Sequence, residues 1–255
     1  MYRIDINSDI GELEGEESRS RDREIMKFVT SVNLACGYHA GSKEIMIRTL
    51  DSAKELGVAV GAHPGFPDRE NFGRTNMVMS PDEVKKIVKD QIMILKELAD
   101  ERGIRLQHVK PHGALYNMSA KDPAMALAIA EAISEADCGL LFMGLSGSEH
   151  IKAANKIGLG SISEVFGDRA YMEDGSLVPR SMEGAVIHDP ELVIRRVLRM
   201  SKEGMVTGID GNEIAIKADS ICVHGDTPEA VEFVSKIRAA LENEGAEVLC
   251  PGIKK

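Results

Sequence analysis

Four of the seven histidines in this sequence fall within a few residues of the end of a short apolar segment. They are His39, His63, His112 and His224, and His112 belongs to the string HVKPHGALYN at residues 108–117, which also holds a lysine, a tyrosine and an asparagine. Imidazoles transfer protons near neutral pH and also bind metal ions. Because loops that leave the carboxyl ends of parallel strands converge on one face of an α/β protein, we expect these histidines to share a pocket.

Carboxylates and cations follow the same predicted strand ends. The acidic candidates are Asp5, Asp9, Glu12, Glu164, Asp168 and Asp226, and the basic ones are Lys110, Arg169 and Arg180. Histidines with carboxylates suit either general acid–base chemistry or a divalent metal ion, and the sequence leaves both open. We assign no metal ligands, because there is no HExxH motif and Lys110 lies between the two imidazoles of HVKPH. The cations favour a small anionic substrate, since an arginine fork holds a carboxylate or phosphate with two hydrogen bonds.

The segments that must position these side chains alternate between strands and helices. Alternating or short apolar runs predict strands at residues 2–9, 31–35, 58–62, 104–109, 139–144, 161–166 and 220–223. The clearest helix begins at Ser80, where Pro81 and Glu83 complete a capping box with proline at the first helical position. Residues 13–23 are predicted to form a charged loop.

This alternation predicts an α/β fold, with residues 1–255 forming a single closed or nearly closed β/α barrel as the catalytic domain. A doubly wound open sheet is the alternative, but the sequence NSDIGELEG after the first strand lacks the GxGxxG motif of dinucleotide-binding folds. The first strand places Asp5, Asn7 and Asp9 on one face. Such a polar face is typical of a strand that either borders solvent or lines a barrel with chemistry at its mouth.

Composition narrows the class of protein. A net charge of −10 and a pI near 5.3 disfavour nucleic acid and anionic membranes as partners. No apolar run approaches the ~20 residues of a membrane-spanning helix, and the first residues lack the features of a signal peptide, so we expect a cytoplasmic protein. The four cysteines are scattered without a CxxC pair, which predicts neither a disulfide framework nor a thiolate zinc site.

Six strings of this sequence resemble the LamB/YcsF family and occur in the order of that family. They are NSDIGE (7–12), NLACGYHAG (33–41), GAHPGFPDRENFGR (61–74), HVKPHGALYN (108–117), EVFGDRAYMEDGSLVPR (164–180) and VHGDTP (223–228). The resemblance implies a seven-stranded β/α barrel like those of certain glycoside hydrolases and deacetylases. It further implies ATP-dependent opening of 5-oxoproline to L-glutamate by a 5-oxoprolinase in which this chain would be the A component, with subunits B and C as partners and ATP with Mg²⁺ as co-substrate.

Small departures accompany the resemblance. Where the family leads us to expect NCD, AHPS and FADR, this chain has Ser8, Gly65 and Gly167. The serine at position 8 argues against a required thiol there. None of the three positions belongs to the charged set.

A five-membered lactam resists hydrolysis because amide resonance makes it a poor electrophile with a poor leaving group, and phosphorylation of its oxygen addresses both problems. For this reaction we expect His63, His112 and Glu164 to activate water and transfer protons, Lys110 and Arg169 to stabilise developing negative charge, and Arg180 to hold the substrate carboxylate. We expect the remaining substrate-binding residues to be Asp9, Glu12, His39, Tyr116, His224 and Asp226.

Two other functions remain open. One is a metal-dependent amidase or carbohydrate deacetylase, which the barrel type and the histidine and aspartate content favour. The other is a lactam-binding protein without catalytic activity, whose partners carry the chemistry.

Overall fold

The computed structural model describes residues 2–223 and 230–252. Within these ranges the strands are β1 (Tyr2–Ile10), β2 (Ser31–Ala35), β3 (Ala59–His63), β4 (His108–Val109), β5 (Leu141–Leu145), β6 (Ser161–Phe166), β7 (Met205–Thr207), β8 (Glu213–Ala215), β9 (Ser220–Cys222) and β10 (Ala246–Val248). The helices are α1 (Glu16–Met26), α2 (Lys43–Leu56), α3 (Pro81–Asp100), α4 (Gly113–Ser119), α5 (Pro123–Ala136), α6 (Glu149–Ile157), α7 (Pro190–Glu203) and α8 (Ala230–Asn243).

Seven parallel strands close into a barrel in the order β1, β2, β3, β4, β5, β6 and β9, and β9 pairs back onto β1. Closure places Asp5 opposite Ser220 and Asn7 opposite Cys222. Strand β10 adds to the outside of β1, and β7 and β8 form a separate antiparallel pair. The predicted seven-stranded β/α barrel is therefore confirmed.

The apolar core lies between the barrel wall and the surrounding helices. Helix α3 shows why these segments are helical: Val84, Val88 and Ile92 recur at helical spacing and are fully buried. Burying such side chains stabilises the fold by about 1.5–3 kcal/mol each. The predicted capping box is present, since the Ser80 hydroxyl accepts from the amide of Glu83 at 3.3 Å and the Glu83 carboxylate accepts from the amide of Ser80 at 2.7 Å. No helix among residues 2–223 and 230–252 is long and apolar enough to cross a membrane.

The barrel interior, in contrast, is polar along β1. Asp5 and Asn7 are fully buried and bond to side chains of neighbouring strands, whereas Ile4 and Ile6 belong to the apolar cluster outside. The alternation in β1 thus separates the helix-facing side from the interior. Of the two interpretations of its polar face, the one that places it inside the barrel is correct.

Two sequence predictions about local structure are wrong. Most of residues 13–23, predicted to be a loop, belongs to α1, of which only Ile25 and Met26 are buried. This helix has no apolar stripe to reveal it, and acidic residues at its N-terminal end and Arg23 near its C-terminal end complement the helix dipole. In addition, β4 covers only residues 108–109 of the strand predicted at 104–109, and residues 113–117 of HVKPHGALYN, with Tyr116, already belong to helix α4.

Gly61 provides a test of the interior packing. A Cβ at this position would overlap the imidazole of His108, so we expect Gly61→Ala to lower the free energy of unfolding by about 3 kcal/mol. Gly147→Ala is the control, because Gly147 has φ of +74° but no atom within 4 Å of the added Cβ, and the cost there is about 1 kcal/mol of backbone strain. Urea denaturation measures both, and equal losses would contradict the steric explanation.

Asp5 should make stability depend on pH. Burial raises its pKa from 3.8 to about 6, although hydroxyls of Ser220, Thr30 and Ser31 donate to its carboxylate and oppose the shift. The folded protein therefore keeps a proton that the unfolded chain releases, and this stabilisation is present below about pH 4 and is lost as the pH rises through about 6.

We expect the wild type to lose roughly 3 kcal/mol more than Asp5→Asn between about pH 4 and about pH 7, at ~1.4 kcal/mol per pKa unit. Urea denaturation of both proteins across this range measures the difference. Parallel stability curves for the two proteins would show that Asp5 does not titrate in this way.

Candidate functional site

A cavity of about 1110 Å³ opens at the carboxyl ends of the barrel strands. Its lining includes eight predicted site residues, namely Asp9, Glu12, His63, Lys110, His112, Tyr116, Arg169 and Arg180. His39 lies buried behind this surface, in contact with the ring of His112. His224 and Asp226 lie outside the described residues. The structure thus brings most of the predicted residues to one pocket.

Lys110 is the buried cation of this site. Its Nζ lies 2.8 Å from Oε1 of Glu164, 2.9 Å from Oδ1 of Asp9 and 3.3 Å from Oδ1 of Asn7. Burial alone would lower the pKa of Lys110, but the nearby anionic groups, Asp9 and Glu164 among them, outweigh burial and hold the pKa well above its ordinary value. The site therefore contains a permanently charged and firmly oriented ammonium.

Glu164 is fully enclosed and acts on the cavity through its neighbours. Besides the Lys110 ammonium, it accepts hydrogen bonds from the Tyr116 hydroxyl at 2.8 Å and from the Asn7 amide at 3.1 Å. Burial and the Glu164 carboxylate raise the pKa of Tyr116 well above its ordinary value, so this hydroxyl stays a donor. Glu164 thereby fixes both Lys110 and Tyr116 from behind.

His63 and His112 form a pair beside Lys110. Nδ1 of His63 lies 2.7 Å from the Lys110 carbonyl oxygen, and Nε2 of His112 lies 2.8 Å from the Phe72 carbonyl oxygen. Because a carbonyl only accepts hydrogen bonds, both of these nitrogens must carry a proton. The remaining nitrogens, Nε2 of His63 and Nδ1 of His112, face each other at 3.0 Å.

Glu12 and His39 complete a compact cluster around this pair. Oε1 of Glu12 lies 3.2 Å from Nδ1 of His112, 3.5 Å from Nε2 of His39 and 3.8 Å from Nε2 of His63. Burial opposes ionisation of Glu12, but contacts with His112 and His39 lower its pKa to about 2. Burial lowers the pKa of His39 to about 3. One ligand-type atom from each of the four residues lies within 4.8 Å of the others, a spacing that suits a metal ion.

The loop after β3 holds this cluster in place. Phe72, whose carbonyl binds His112, has φ of 57°, which is uncommon for a residue other than glycine and occurs preferentially at functional sites. Close packing of the loop depends on glycine at position 65, because a Cβ there would lie 2.5 Å from Nδ1 of His39. The departure from the expected AHPS string therefore leaves room for the His39 ring.

The two predicted arginines differ in their surroundings. Arg169 is buried and donates to the carbonyl oxygens of Val178 at 2.7 Å and Ala185 at 3.3 Å. Burial, together with Arg180, lowers the pKa of Arg169. Arg180 is exposed at the rim of the cavity, where an incoming anion would meet it.

Sequence reasoning missed several residues that support the site. Asn33 donates to Asn7 at 2.8 Å and to Asp9 at 2.7 Å, and the Cys222 sulfur lies 3.3 Å from Nζ of Lys110. The ring of Phe166 lies 5.6 Å from the same Nζ. The alternation of polar and apolar residues along β2 could have revealed Asn33, which lies opposite Asp9 in the β1–β2 register. Which strands touch across the barrel was not evident from the sequence.

Comparisons with known proteins agree with this architecture. A family model described as the LamB/YcsF family matches residues 4–252. The protein named as the A subunit of 5-oxoprolinase in Clostridium beijerinckii is 52% identical over 249 residues, covering 98% of each chain. A protein of the same name from Campylobacter jejuni is 51% identical and covers 97% of each chain.

Comparison with solved structures points to the same family. The crystal structure of the lactam utilization protein from Thermus thermophilus superposes with a TM-score of 0.89 at 45% identity, covering 97% of this chain and 99% of that chain. An uncharacterized protein from Agrobacterium tumefaciens shares the fold alone, at a TM-score of 0.60 and 15% identity, with 97% of this chain and 87% of that chain covered. With its family strings, its barrel and these relatives in agreement, the chain belongs to the LamB/YcsF family.

Proposed function

We propose that this chain carries the lactam site of an ATP-dependent 5-oxoprolinase and opens 5-oxoproline to L-glutamate together with subunits B and C. The observation that carries the proposal is the fixed Lys110 ammonium beside the paired imidazoles of His63 and His112, at the wall of one large cavity. The names of its relatives, which refer to 5-oxoprolinase and to lactam utilization, support the same substrate class.

The chemistry explains why ATP is needed. Transfer of the γ-phosphoryl group to the lactam oxygen releases ADP and gives an imidate, which is a better electrophile than the amide. Water then adds to the former carbonyl carbon, the carbon–nitrogen bond breaks as nitrogen takes up a proton, and an acyl phosphate remains. A second water hydrolyses this acyl phosphate to L-glutamate and inorganic phosphate. Mg²⁺ accompanies the nucleotide phosphates as co-substrate.

The described residues suit these steps. Lys110 stabilises negative charge on the lactam oxygen or on the phosphoryl group that it receives, because a buried ammonium acts there with little screening by water. His63 and His112 accept the proton of the attacking water and return it to the ring nitrogen. Arg180 at the rim, with Arg169 behind it, pairs with the substrate carboxylate.

The reaction itself is tested by mixing this chain with its partner subunits and measuring L-glutamate from 5-oxoproline. We expect glutamate and ADP in equal amounts, and none without ATP. Absence of ATP-dependent glutamate, with the three subunits shown to associate, would overturn the proposal. Glutamate release that needs no ATP would instead favour the amidase alternative.

Replacement of Lys110 tests its role within the assembled enzyme. We expect Lys110→Met to lower kcat/KM for 5-oxoproline by about 10²–10³-fold, the cost of removing one stabiliser of transition-state charge. Lys152→Met, which removes an exposed lysine paired with Glu149 on α6, should leave the rate unchanged. Lys110→Met leaves two carboxylates unpaired, so circular dichroism must show that this variant is folded. Lys110→Arg, which keeps the positive charge, is measured beside it. A folded Lys110→Met variant with wild-type kcat/KM would contradict the assignment.

A further inference from the structure

The cluster of Glu12, His39, His63 and His112 contains several hydrogen-bond acceptors and lacks a matching donor. The outward nitrogens of His63 and His112 use their protons on backbone carbonyls, so in the neutral rings the inward nitrogens carry only lone pairs. These lone pairs oppose each other at 3.0 Å, and Oε1 of Glu12, also an acceptor, lies 3.2 Å from one of them. Such an arrangement repels itself unless a positive charge lies at its centre.

Unsatisfied polar atoms occur at the same place. Oε1 of Glu12 and both ring nitrogens of His39 are buried without a hydrogen-bond partner in the described part of the chain. His39 is only 1% exposed, and its Nε2 points toward Glu12 at 3.5 Å. Buried polar groups in native proteins are almost always satisfied, so two ring nitrogens and a carboxylate oxygen without partners at one place indicate a site that binds a ligand.

The spacing of these atoms matches a coordination sphere. Ligands about 2.0–2.1 Å from a tetrahedral zinc ion lie about 3.3–3.4 Å from one another. Four of the six distances among the cluster atoms are 3.0, 3.2, 3.5 and 3.8 Å, which bracket that value, and the ligand-type atoms of the four residues all lie within 4.8 Å of one another. Metal-binding histidines also donate their second ring nitrogen to a carbonyl or carboxylate, as His63 and His112 do here.

We propose that Glu12, His39, His63 and His112 form a binding site for one divalent transition-metal ion, with zinc as the best match. Three imidazoles and one carboxylate suit zinc and its neighbours, whereas Mg²⁺ prefers oxygen ligands. His39 would have to turn out of its stack on His112 to bind, because the two ring planes are parallel at a centroid distance of 3.9 Å. Glu12, His63 and His112 line the cavity, so the ion would be accessible to a substrate oxygen or a water.

The nearby Lys110 ammonium does not prevent this. Asp9 lies between the two positive charges, with Oδ1 at 2.9 Å from Lys110 and Oδ2 at 3.5 Å from Nε2 of His63. The carboxylate of Glu164 further offsets the positive charge of Lys110 from the opposite side. The site goes beyond the proposed lactam hydrolysis, because an ion held by the inward nitrogens of His63 and His112 would replace these imidazoles as the group that activates water. Metal binding is measured without substrate, ATP or partner subunits, so its test is independent of the hydrolysis.

The test uses the full chain without an affinity tag, freed of metal with a chelator. We expect calorimetric titration with zinc chloride to show one ion per chain, and elemental analysis after dialysis to confirm the stoichiometry. Zinc should also raise the melting temperature, since an ion that binds only the folded state stabilises it. Magnesium chloride should give neither signal. A folded wild-type chain that binds no zinc would overturn the proposal. A proton shared between His63 and His112 would then explain their close contact.

Variants locate the ion. We expect Glu12→Gln and His112→Gln each to weaken zinc binding by more than about 100-fold, beyond the roughly 10–100-fold that the loss of an outer contact to a ligand typically costs. His188→Gln is the matched control, because His188 is exposed and outside the cluster. Circular dichroism checks that each variant is folded. Zinc binding that persists unchanged in folded Glu12→Gln and His112→Gln, or that is lost in His188→Gln, would place the ion elsewhere and contradict the assignment.

Discussion

Burial of the Lys110 ammonium is the constraint on which much of the structure depends. Removing a charge of this kind from water costs several kcal/mol unless oppositely charged and hydrogen-bonding partners surround it. Asp9 on β1 and Glu164 on β6 supply the opposite charge, and Asn7 supplies a further acceptor. The polar inner face of β1 exists because a barrel that encloses this ammonium needs acceptors inside its wall.

This requirement separates two kinds of packing. Hydrophobic burial lies outside the barrel, where Ile4, Ile6 and the buried face of α3 belong to one continuous apolar cluster. The interior instead holds a network of amides, hydroxyls and charges that runs from Asp5 to the cavity. Such networks are stable only when their members are satisfied, because the low dielectric that strengthens each bond also makes an unpaired group costly.

Among the described residues, the histidine cluster combines several polar atoms that have no hydrogen-bond partner, and it lies where the barrel meets the cavity. His63 and His112 are oriented by backbone carbonyls, one of them from Phe72 in an uncommon backbone conformation. Both ring nitrogens of His39 and Oε1 of Glu12 lack hydrogen-bond partners among the described residues. Departures from good local chemistry concentrate at functional sites, so this cluster and the adjacent Lys110 mark the reactive part of the molecule.

The sequence by itself determined the alternation of strands and helices, the capping of α3 and the placement of His63, Lys110 and His112 at strand ends, because these depend on local periodicity and short motifs. It missed α1, whose charged surface carries no apolar stripe. Only the tertiary structure decided that Glu164 binds Lys110 from behind the cavity wall, and that four ligand-type atoms from separate strand ends meet in one cluster. Barrel closure and side-chain orientation decide those contacts, and neither is encoded in the spacing of residues along the chain.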